Sequence, residues 1–256
     1  MPSLEGADAW LDRSQEHLIE IERLRKPLIE AERDAMLATA SFTTQAEGAE
    51  TFGYSRLKTP APNRISVLTG EAIQALRRAL DYLVYEIAFR DSGSEQDGTQ
   101  FPIEHSPNVF WSRLNPGRGG YLVGVDRKHA TALKRYQPCD QVEWSADLRD
   151  LSNPDKHRRL SVLRHLDKTT AARMENDDGA TYRNFAATDD GFEVWWTVGD
   201  DVHMQLQVTI DIAFESGLGV IEALQEIKAQ IAYVLDEFRP CFALGTCPHG
   251  VSWGTA

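Results

Sequence analysis

One stretch of the sequence, residues 66–90, carries apolar residues along a single helical face over most of its length. These residues recur three or four positions apart, with one adjacent pair, which is the spacing of one side of an α-helix. A helix of this length must bury its apolar side against other elements, so the fold has to be built around it. The residues on that face are Ile73, Leu76, Leu80, Leu83, Val84 and Ile87.

Three other stretches predict helices that supply packing partners for this one. Residues 4–38 show helical spacing interrupted by Pro27, which we expect to kink the helix or split it in two. Residues 145–166 predict two consecutive helices, and residues 218–238 predict a closing helix that ends before Pro240. These segments, together with 66–90, form the predicted helical core.

Two stretches have the alternation and β-forming residues typical of strands. Residues 41–58 predict a β-hairpin, and residues 192–214 predict a second antiparallel strand pair that turns at Gly199-Asp200-Asp201. The sequence therefore predicts a mostly helical α+β fold, a helical bundle with one hairpin and one further strand pair. We expect a single domain over residues 1–256, because the helices at both ends need each other to bury their apolar faces.

Composition excludes several classes of protein. The net charge of −12 disfavours a nucleic-acid binder that works by bulk charge, and the hydrophobic content of 42% is that of an ordinary globular protein. We find no apolar run long enough to span a membrane and no apolar signal core near the N-terminus. Three cysteines are an odd number for a disulfide scaffold. These features predict a soluble bacterial protein in the reducing cytoplasm.

The C-terminal region contains residues that are able to ligate zinc. Cys241, Cys247 and His249 would supply three ligands, and Cys139 the fourth. The cysteine spacing is looser than the close pairs of structural zinc sites. The glycine-rich runs in the chain lack the strand and helix context of a nucleotide site. We therefore expect no metal and no cofactor.

The helix predicted over 66–90 places two charged residues at the rim of its apolar face. On a helical wheel Arg77 lies about 70° and Asp81 about 110° from the centre of that face, and the two are four positions apart, so they are able to pair. One interpretation is an ordinary surface ion pair at a packing boundary. The other is a partly buried binding pair that presents the guanidinium to an anion.

The densest group of charged and titratable residues lies at the start of the helix predicted over 154–166. Asn153 fits the N-cap, and a proline follows it at the first helical position. A cationic imidazole is disfavoured near this positive helix end, so a neutral His157 suits a base or a hydrogen-bond donor. The alternative is a capped, solvated helix without a site. The remaining binding candidates in this group are Asp155 and Lys156.

A short pattern in the same segment points to a reaction. Arg158 and Arg159 are separated from His165 by six and five residues, which matches the Arg-x(4–6)-His pattern of HEPN-type ribonucleases. These enzymes are helical bundles that cut RNA without a metal. The pattern is short enough to arise by chance, so its support is the predicted placement of Arg158 and His165 on one helical face. The catalytic candidates are His157, Arg158 and His165.

Several blocks of residues resemble a bacterial protein family that is common in actinobacteria and has no characterised function. The blocks are Gly70-Glu71-Ala72-Ile73 with Leu76-Arg77-x-Ala79-Leu80-Asp81-Tyr82-Leu83, Thr99-Gln100-Phe101-Pro102-Ile103, and Leu151-Ser152-Asn153-Pro154-Asp155-Lys156-His157-Arg158. In that family the position of Tyr82 is often histidine, which together with Arg77 gives an Arg-x4-His match. Tyr82 cannot act as a base near neutral pH. If the family is a HEPN-like nuclease, the resemblance implies that this chain is inactive or uses His157 or His165.

Two classes of function stay open. We favour a non-catalytic helical binding or interaction protein, which leaves a homodimer open, because the acidic charge and Tyr82 both count against catalysis on RNA. The alternative is a HEPN-like, metal-independent ribonuclease of a toxin-like or defence-related kind. Convergence of Arg77 and Asp81 with the cluster at 156–158 in one cleft would favour a site. The sequence names neither ligand nor partner.

Overall fold

The structure is a computed structural model. It describes residues 2–39, 41–44, 50–53, 62–117, 119–153, 163–174, 183–188, 191–197, 203–214 and 218–243. The chain divides into two compact units. The first unit comprises Met1–Ile19, Val67–Arg159 and Glu222–Ala256, and the second comprises Glu20–Ser66 and Leu160–Ile221. The prediction of a single domain stays a prediction.

Helices dominate the part of the chain that the structure describes, which confirms the mostly helical character predicted from the sequence. A short 3-10 turn, Pro138–Asp140, follows the fourth helix. The helices are α1 (Glu5–Thr39), α2 (Asn63–Ser92), α3 (Pro107–Ser112), α4 (Arg127–Lys134), α5 (Glu143–Ser152) and α6 (Val220–Phe242).

The predicted apolar face of α2 is the centre of the first unit. Its six residues are at most 1% exposed, and Leu80 is fully buried. The N-terminal part of α1 packs antiparallel to α2, because residues that advance along α1 meet residues that recede along α2. The meeting pairs are Ser3 with Glu86, Gly6 with Tyr82, Trp10 with Arg78, and His17 with Glu71.

Prolines affect the helices less than expected. Pro27 lies inside α1, which continues as one helix from Glu5 to Thr39, so the expected split is wrong. Pro240 lies inside α6, which ends two residues later at Phe242. A proline removes one backbone donor and crowds the preceding turn, and the surrounding contacts override that cost at both positions.

The strands lie in the second unit and pair antiparallel throughout. Strands β1 (Ser41–Thr44) and β2 (Glu50–Gly53) form a two-stranded sheet in which Ser41 is opposite Gly53. A second sheet has four strands in the order β3-β6-β5-β4. Its members are β3 (Leu163–Met174), β4 (Arg183–Thr188), β5 (Gly191–Thr197) and β6 (His203–Ala213).

The helix predicted over 154–166 is wrong at its C-terminal end. Strand β3 begins at Leu163, whose register partner is Ala213, and Leu166 is opposite Ile210. A short apolar run is compatible with either a helix or a strand, and pairing with a distant strand decided this one. Residues 154–162 lie outside the described residues, so the predicted start of that helix stays a prediction.

Candidate functional site

Arg77 and Asp81 together hold the backbone of one buried residue. The Phe101 backbone N–H donates to the Asp81 carboxylate at 2.8 Å, and the Arg77 guanidinium donates to the Phe101 carbonyl. Phe101 itself is fully buried. Two hydrogen bonds to the Phe101 backbone therefore join α2 to the extended segment that follows it, and they fix that segment against α2.

The Arg77–Asp81 pair is partly buried, which is compatible with both interpretations of the sequence. The Arg77 Nε atom lies 3.5 Å from Asp81 Oδ1, and the two side chains are 19% and 27% exposed. Burial raises the pKa of Asp81, and it does so more strongly than the neighbouring Arg77 lowers it. Burial also lowers the pKa of Arg77, although a guanidinium stays protonated in proteins. The pair is therefore held in a partly desolvated position beside Phe101.

A second arginine is fixed close to this pair. Arg113 donates from Nε and Nη2 to Glu104 Oε1 at 2.9 and 2.7 Å, and from Nη1 to the Gly119 carbonyl at 3.1 Å. Its guanidinium carbon lies 4.6 Å from the centre of the Tyr121 ring. Gly119 has a φ of +88°, and a Cβ there would lie 2.6 Å from the Arg113 guanidinium. A glycine at this position therefore allows the close approach that holds Arg113.

A third arginine comes from the end of α5. Arg149 is exposed, and among the described residues it makes no ion pair. The Ser152 hydroxyl donates to the Arg149 carbonyl at 3.3 Å, in the last turn of the helix. Asn153 follows as the residue after the helix end. Arg149 is therefore a cation whose charge is available to a ligand.

These three arginines line one cavity of about 360 Å³, which we call the arginine cavity. Among the described residues, one carboxylate lines it, that of Glu104, which pairs with Arg113, while Arg77 pairs with Asp81 beside the cavity. Arg149 therefore gives the described lining a net positive charge in a chain of net charge −12. Three carboxamides and an aromatic ring add hydrogen-bonding groups and a flat surface. The remaining lining residues are Gln74, Gln100, Pro102, Ile103, Tyr121, Ser152 and Asn153.

A second cavity, of about 540 Å³, lies between the N-terminal part of α1 and α2, and we call it the tryptophan cavity. The Arg78 guanidinium carbon lies 4.6 Å from the centre of the Trp10 ring. His17 Nδ1 lies 3.5 Å from Glu71 Oε2. The remaining lining residues are Arg13, Val67, Gly70, Gln74 and Ala75.

Tyr82 has a packing role that explains its place in the sequence. A Cβ on Gly6 would lie 2.7 Å from Tyr82 Cδ1, so the ring rests directly on the glycine backbone of α1. The side chain remains 42% exposed and lines neither of the two cavities. Tyr82 therefore contacts α1.

The structure brings together three of the residues predicted from the sequence. Arg77 and Asn153 line the arginine cavity, and Asp81 contacts Arg77 beside it. Four of the predicted residues lie outside the described residues, namely Asp155, Lys156, His157 and Arg158. An approach of Asp81 to Lys156 or Arg158 therefore stays a prediction. The convergence of Arg77 and Asp81 with the cluster at 156–158 stays a prediction for the same reason.

His165 is not on a helix, contrary to its predicted placement. It lies in β3, where its register partner is Asp211 of β6. Asp211 is buried and accepts from Arg25 Nε at 2.6 Å and from the Ile212 backbone N–H at 2.6 Å. Because β3 is extended, His165 cannot share a helical face with Arg158.

Sequence reasoning missed Glu104, Arg113 and Arg149. The Glu104–Arg113 pair joins residues nine apart across a turn-rich loop, and no periodic pattern marks such a pair. Arg149 could have been named as a candidate, because it lies in a predicted helix four residues before Asn153. An exposed arginine on a short helix carries no signal until its neighbours in space are known.

The zinc hypothesis loses one of its ligands. Cys241 is disulfide-bonded, and a disulfide sulfur has no thiolate for a metal. Cys139 is free, and burial raises the pKa of its thiol. Across the described residues, no group of three or more His, Cys, Asp or Glu side chains is arranged to hold a metal ion. The expectation that all three cysteines are reduced is wrong for Cys241.

Comparison with protein-family models, curated proteins and solved structures finds no match for this chain. The resemblance to an actinobacterial family therefore stays a prediction. The helices in the described part of the chain include none with the length and apolar character needed to cross a membrane.

Proposed function

We propose that this chain is a non-catalytic binding protein that takes a carboxylate- or phosphate-bearing ligand in the arginine cavity. The observation that carries the proposal is the charge of the described lining: Arg77 pairs with Asp81 and Arg113 with Glu104, while Arg149 is exposed and makes no ion pair among the described residues. Guanidinium groups bind carboxylate and phosphate oxygens through paired, charge-assisted hydrogen bonds.

The three arginines contribute differently to the proposed site. Arg113 is held by Glu104, Gly119 and Tyr121, so its guanidinium is ordered before a ligand arrives. Arg77 is held against Phe101 and pairs with Asp81. Arg149 keeps its charge available and supplies the contact that depends most on the ligand's charge. Ordered neighbours around one adaptable arginine lower the entropic cost of binding.

The ribonuclease alternative has lost its main support. It needs an arginine and a histidine on one helical face, and His165 lies in strand β3. Among the described residues that line the arginine cavity, none is a histidine that could act as a base. We therefore favour binding over catalysis. The net charge of −12 disfavours nucleic acid as the ligand, and we propose a cytoplasmic location and leave a homodimer open.

The proposal also covers the fold and the number of domains. We propose a single-domain α+β protein, to which the hairpin over 41–58 and the antiparallel pair over 192–214 contribute. The support is that α1 and α2 are each continuous helices that contribute residues to both compact units.

Isothermal titration calorimetry with matched probes tests the binding proposal. Succinate and benzoate are compared with their neutral counterparts succinamide and benzamide, at constant ionic strength. We expect the carboxylates to bind and the amides to bind far more weakly. Arg149→Gln should weaken carboxylate binding by about 10- to 100-fold, since a hydrogen bond to a charged group contributes about 1.5–3 kcal/mol.

Arg127→Gln is the matched control. Arg127 is an exposed arginine that lies over the Trp111 ring, at 4.9 Å from its centre, and it lines neither cavity. Its loss should leave carboxylate binding unchanged. Equal loss of binding in both variants would reduce the effect to general surface charge and contradict the proposal.

A further inference from the structure

We infer that the ligand of the arginine cavity is the C-terminal end of a peptide chain, whose terminal carboxylate contacts Arg149 and whose last peptide group pairs with the backbone of Ile103. This inference rests on the proposed binding function, and it names the chemical class of the ligand. Three features of the described lining carry it, namely its net charge, one unpaired piece of backbone, and its size.

The net charge of the described lining matches one carboxylate. Arg113 pairs with Glu104, and Arg77 pairs with Asp81 beside the cavity, so each of these two guanidinium groups already has a counter-charge. Arg149 lines the cavity, is exposed, and makes no ion pair among the described residues. A phosphate monoester carries a charge of about −1.5 to −2 near neutral pH, whereas a terminal carboxylate carries a single negative charge. One uncompensated cation therefore favours a ligand with one carboxylate.

The backbone of Ile103 adds a hydrogen-bonding surface to the lining. Ile103 lines the cavity, and among the described residues its N–H and C=O groups make no hydrogen bond. The next residue differs, because the Glu104 N–H donates to the Gln137 side chain at 3.0 Å and its carbonyl accepts from the Cys139 N–H at 3.1 Å. Buried backbone groups in proteins are nearly always paired. The two Ile103 groups are therefore left for water or for a ligand.

The alternation of the extended segment directs these groups toward α2. Backbone groups of residues two apart point to the same side of an extended chain. Phe101 directs both of its groups to Asp81 and Arg77 of α2, so Ile103 faces the same side. Gln74 lies one turn before Arg77 and lines the same cavity. Its exposed side chain makes no hydrogen bond among the described residues, so its carboxamide is able to pair with the same peptide ligand.

The size of the cavity suits the end of a chain. Its volume of about 360 Å³ lies near the lower end of the range for small-molecule sites, which is about 300–1,000 Å³. Pro102 and Ile103 are buried and add apolar surface for the side chain of the last residue. Capture of a terminal carboxylate by groups that also pair with the peptide backbone is a recurring mode of peptide recognition.

An internal acidic residue of a partner fits these features less well. Its chain would have to enter and leave the same small cavity, and its carboxylate is separated from the nearest peptide group by a side chain. A small free acid such as benzoate would use Arg149 and leave the Ile103 groups to water. A terminal carboxylate with an adjacent peptide group uses both.

Isothermal titration calorimetry on the full chain compares four peptide probes. Acetyl-Gly-Ala carries a free terminal carboxylate. The comparisons are its C-terminal amide, the ester in which lactate replaces alanine and removes the last N–H, and acetyl-Gly-Asp-Gly amide, whose carboxylate is internal. We expect acetyl-Gly-Ala to bind at least about tenfold more tightly than the amide and the internal-Asp peptide, and about 3- to 10-fold more tightly than the ester, which is the range for one neutral hydrogen bond.

Amide hydrogen exchange reports on the Ile103 N–H directly. At saturation, acetyl-Gly-Ala should slow its exchange at least about tenfold relative to saturating benzoate, because only the peptide brings a peptide group to this backbone. Gln74→Ala should weaken acetyl-Gly-Ala by about 3- to 10-fold and leave benzoate unchanged. Arg127→Gln is the matched control and should affect neither ligand.

Parallel titration with benzoate separates the two proposals. Arg149→Gln should weaken both benzoate and acetyl-Gly-Ala, because both carboxylates contact that guanidinium. If benzoate binds and acetyl-Gly-Ala binds no more tightly than its amide, its ester or the internal-Asp peptide, the inference is wrong while the proposed function stands. If neither benzoate nor acetyl-Gly-Ala binds, both are wrong. Binding of acetyl-Gly-Ala that Arg149→Gln leaves unchanged would place the carboxylate elsewhere and overturn the inference.

Discussion

The contact between Asp81 and the Phe101 backbone makes a sharp prediction about two substitutions at one position. Asp81→Ala removes the acceptor of a buried N–H group, whereas Asp81→Asn retains an acceptor oxygen of the same size. An unsatisfied buried donor costs about 1–3 kcal/mol. We therefore expect Asp81→Ala to lower the free energy of unfolding by about 1–3 kcal/mol and Asp81→Asn by less than about 1 kcal/mol.

The pKa of Asp81 adds a pH dependence to the same comparison. Burial raises this pKa above its ordinary value, so the folded state holds the proton more tightly than the unfolded state does. Stability from this group is fully present below the unfolded pKa of about 3.9 and is lost as pH rises through the higher folded pKa. Asn does not titrate, so relative to Asp81→Asn the wild type should become less stable as pH rises across that window.

Urea unfolding, followed by circular dichroism at several pH values, measures these differences, and amide hydrogen exchange reports on the Phe101 N–H directly. Exchange at Phe101 should be fast in Asp81→Ala and slow in both Asp81→Asn and the wild type. Equal destabilisation by Asn and Ala would show that charge, and not the hydrogen bond to Phe101, is what Asp81 provides. A rise in wild-type stability with pH, relative to Asp81→Asn, would refute the role of burial.

Three other outcomes follow from the structure. Leu80→Ala should lower the free energy of unfolding by about 2–4 kcal/mol in urea titrations, because Leu80 is fully buried at the centre of α2; a mutant that unfolds like the wild type would contradict its core position. Gly6→Ala should destabilise the wild type, because the new Cβ would meet the Tyr82 ring. In a Tyr82→Ala background the same substitution should stabilise the protein by up to about 1 kcal/mol, because alanine has the higher helix propensity. A change in the free energy of unfolding with the same sign in both backgrounds would show that the contact with Tyr82 is not the cause. Elemental analysis of the purified protein should find no stoichiometric zinc, since Cys241 is disulfide-bonded, and zinc that is lost on Cys241→Ser would overturn this.

Local periodicity was sufficient to predict the long helices. The apolar faces of α2 and α6 are buried, as the spacing of their residues predicted. Apolar residues that recur three or four positions apart lie on one side of a helix, and that side packs against the core. The rim positions of Arg77 and Asp81 also followed from the wheel. These predictions succeeded because they depend on residues within one or two turns of each other.

Predictions that needed distant partners failed or were missing. The apolar run around Leu163 was compatible with a helix, and pairing with β6, roughly fifty residues away in sequence, made it a strand. The two hydrogen bonds between the Phe101 backbone and α2 had no local signal in the sequence. The cationic character of the cavity arises from α2, a loop and α5 together, so no single stretch of sequence displays it.

In the proposed complex a ligand carboxylate contacts the guanidinium groups of the arginine cavity. NMR of the arginine side-chain Nε–Hε groups during titration with succinate observes those groups one by one. The account predicts that the signals of Arg77, Arg113 and Arg149 shift together and saturate, while the signal of Arg127 stays in place, and that succinamide moves none of them. Signals that shift equally at Arg127, or fail to shift at Arg149, would contradict the account.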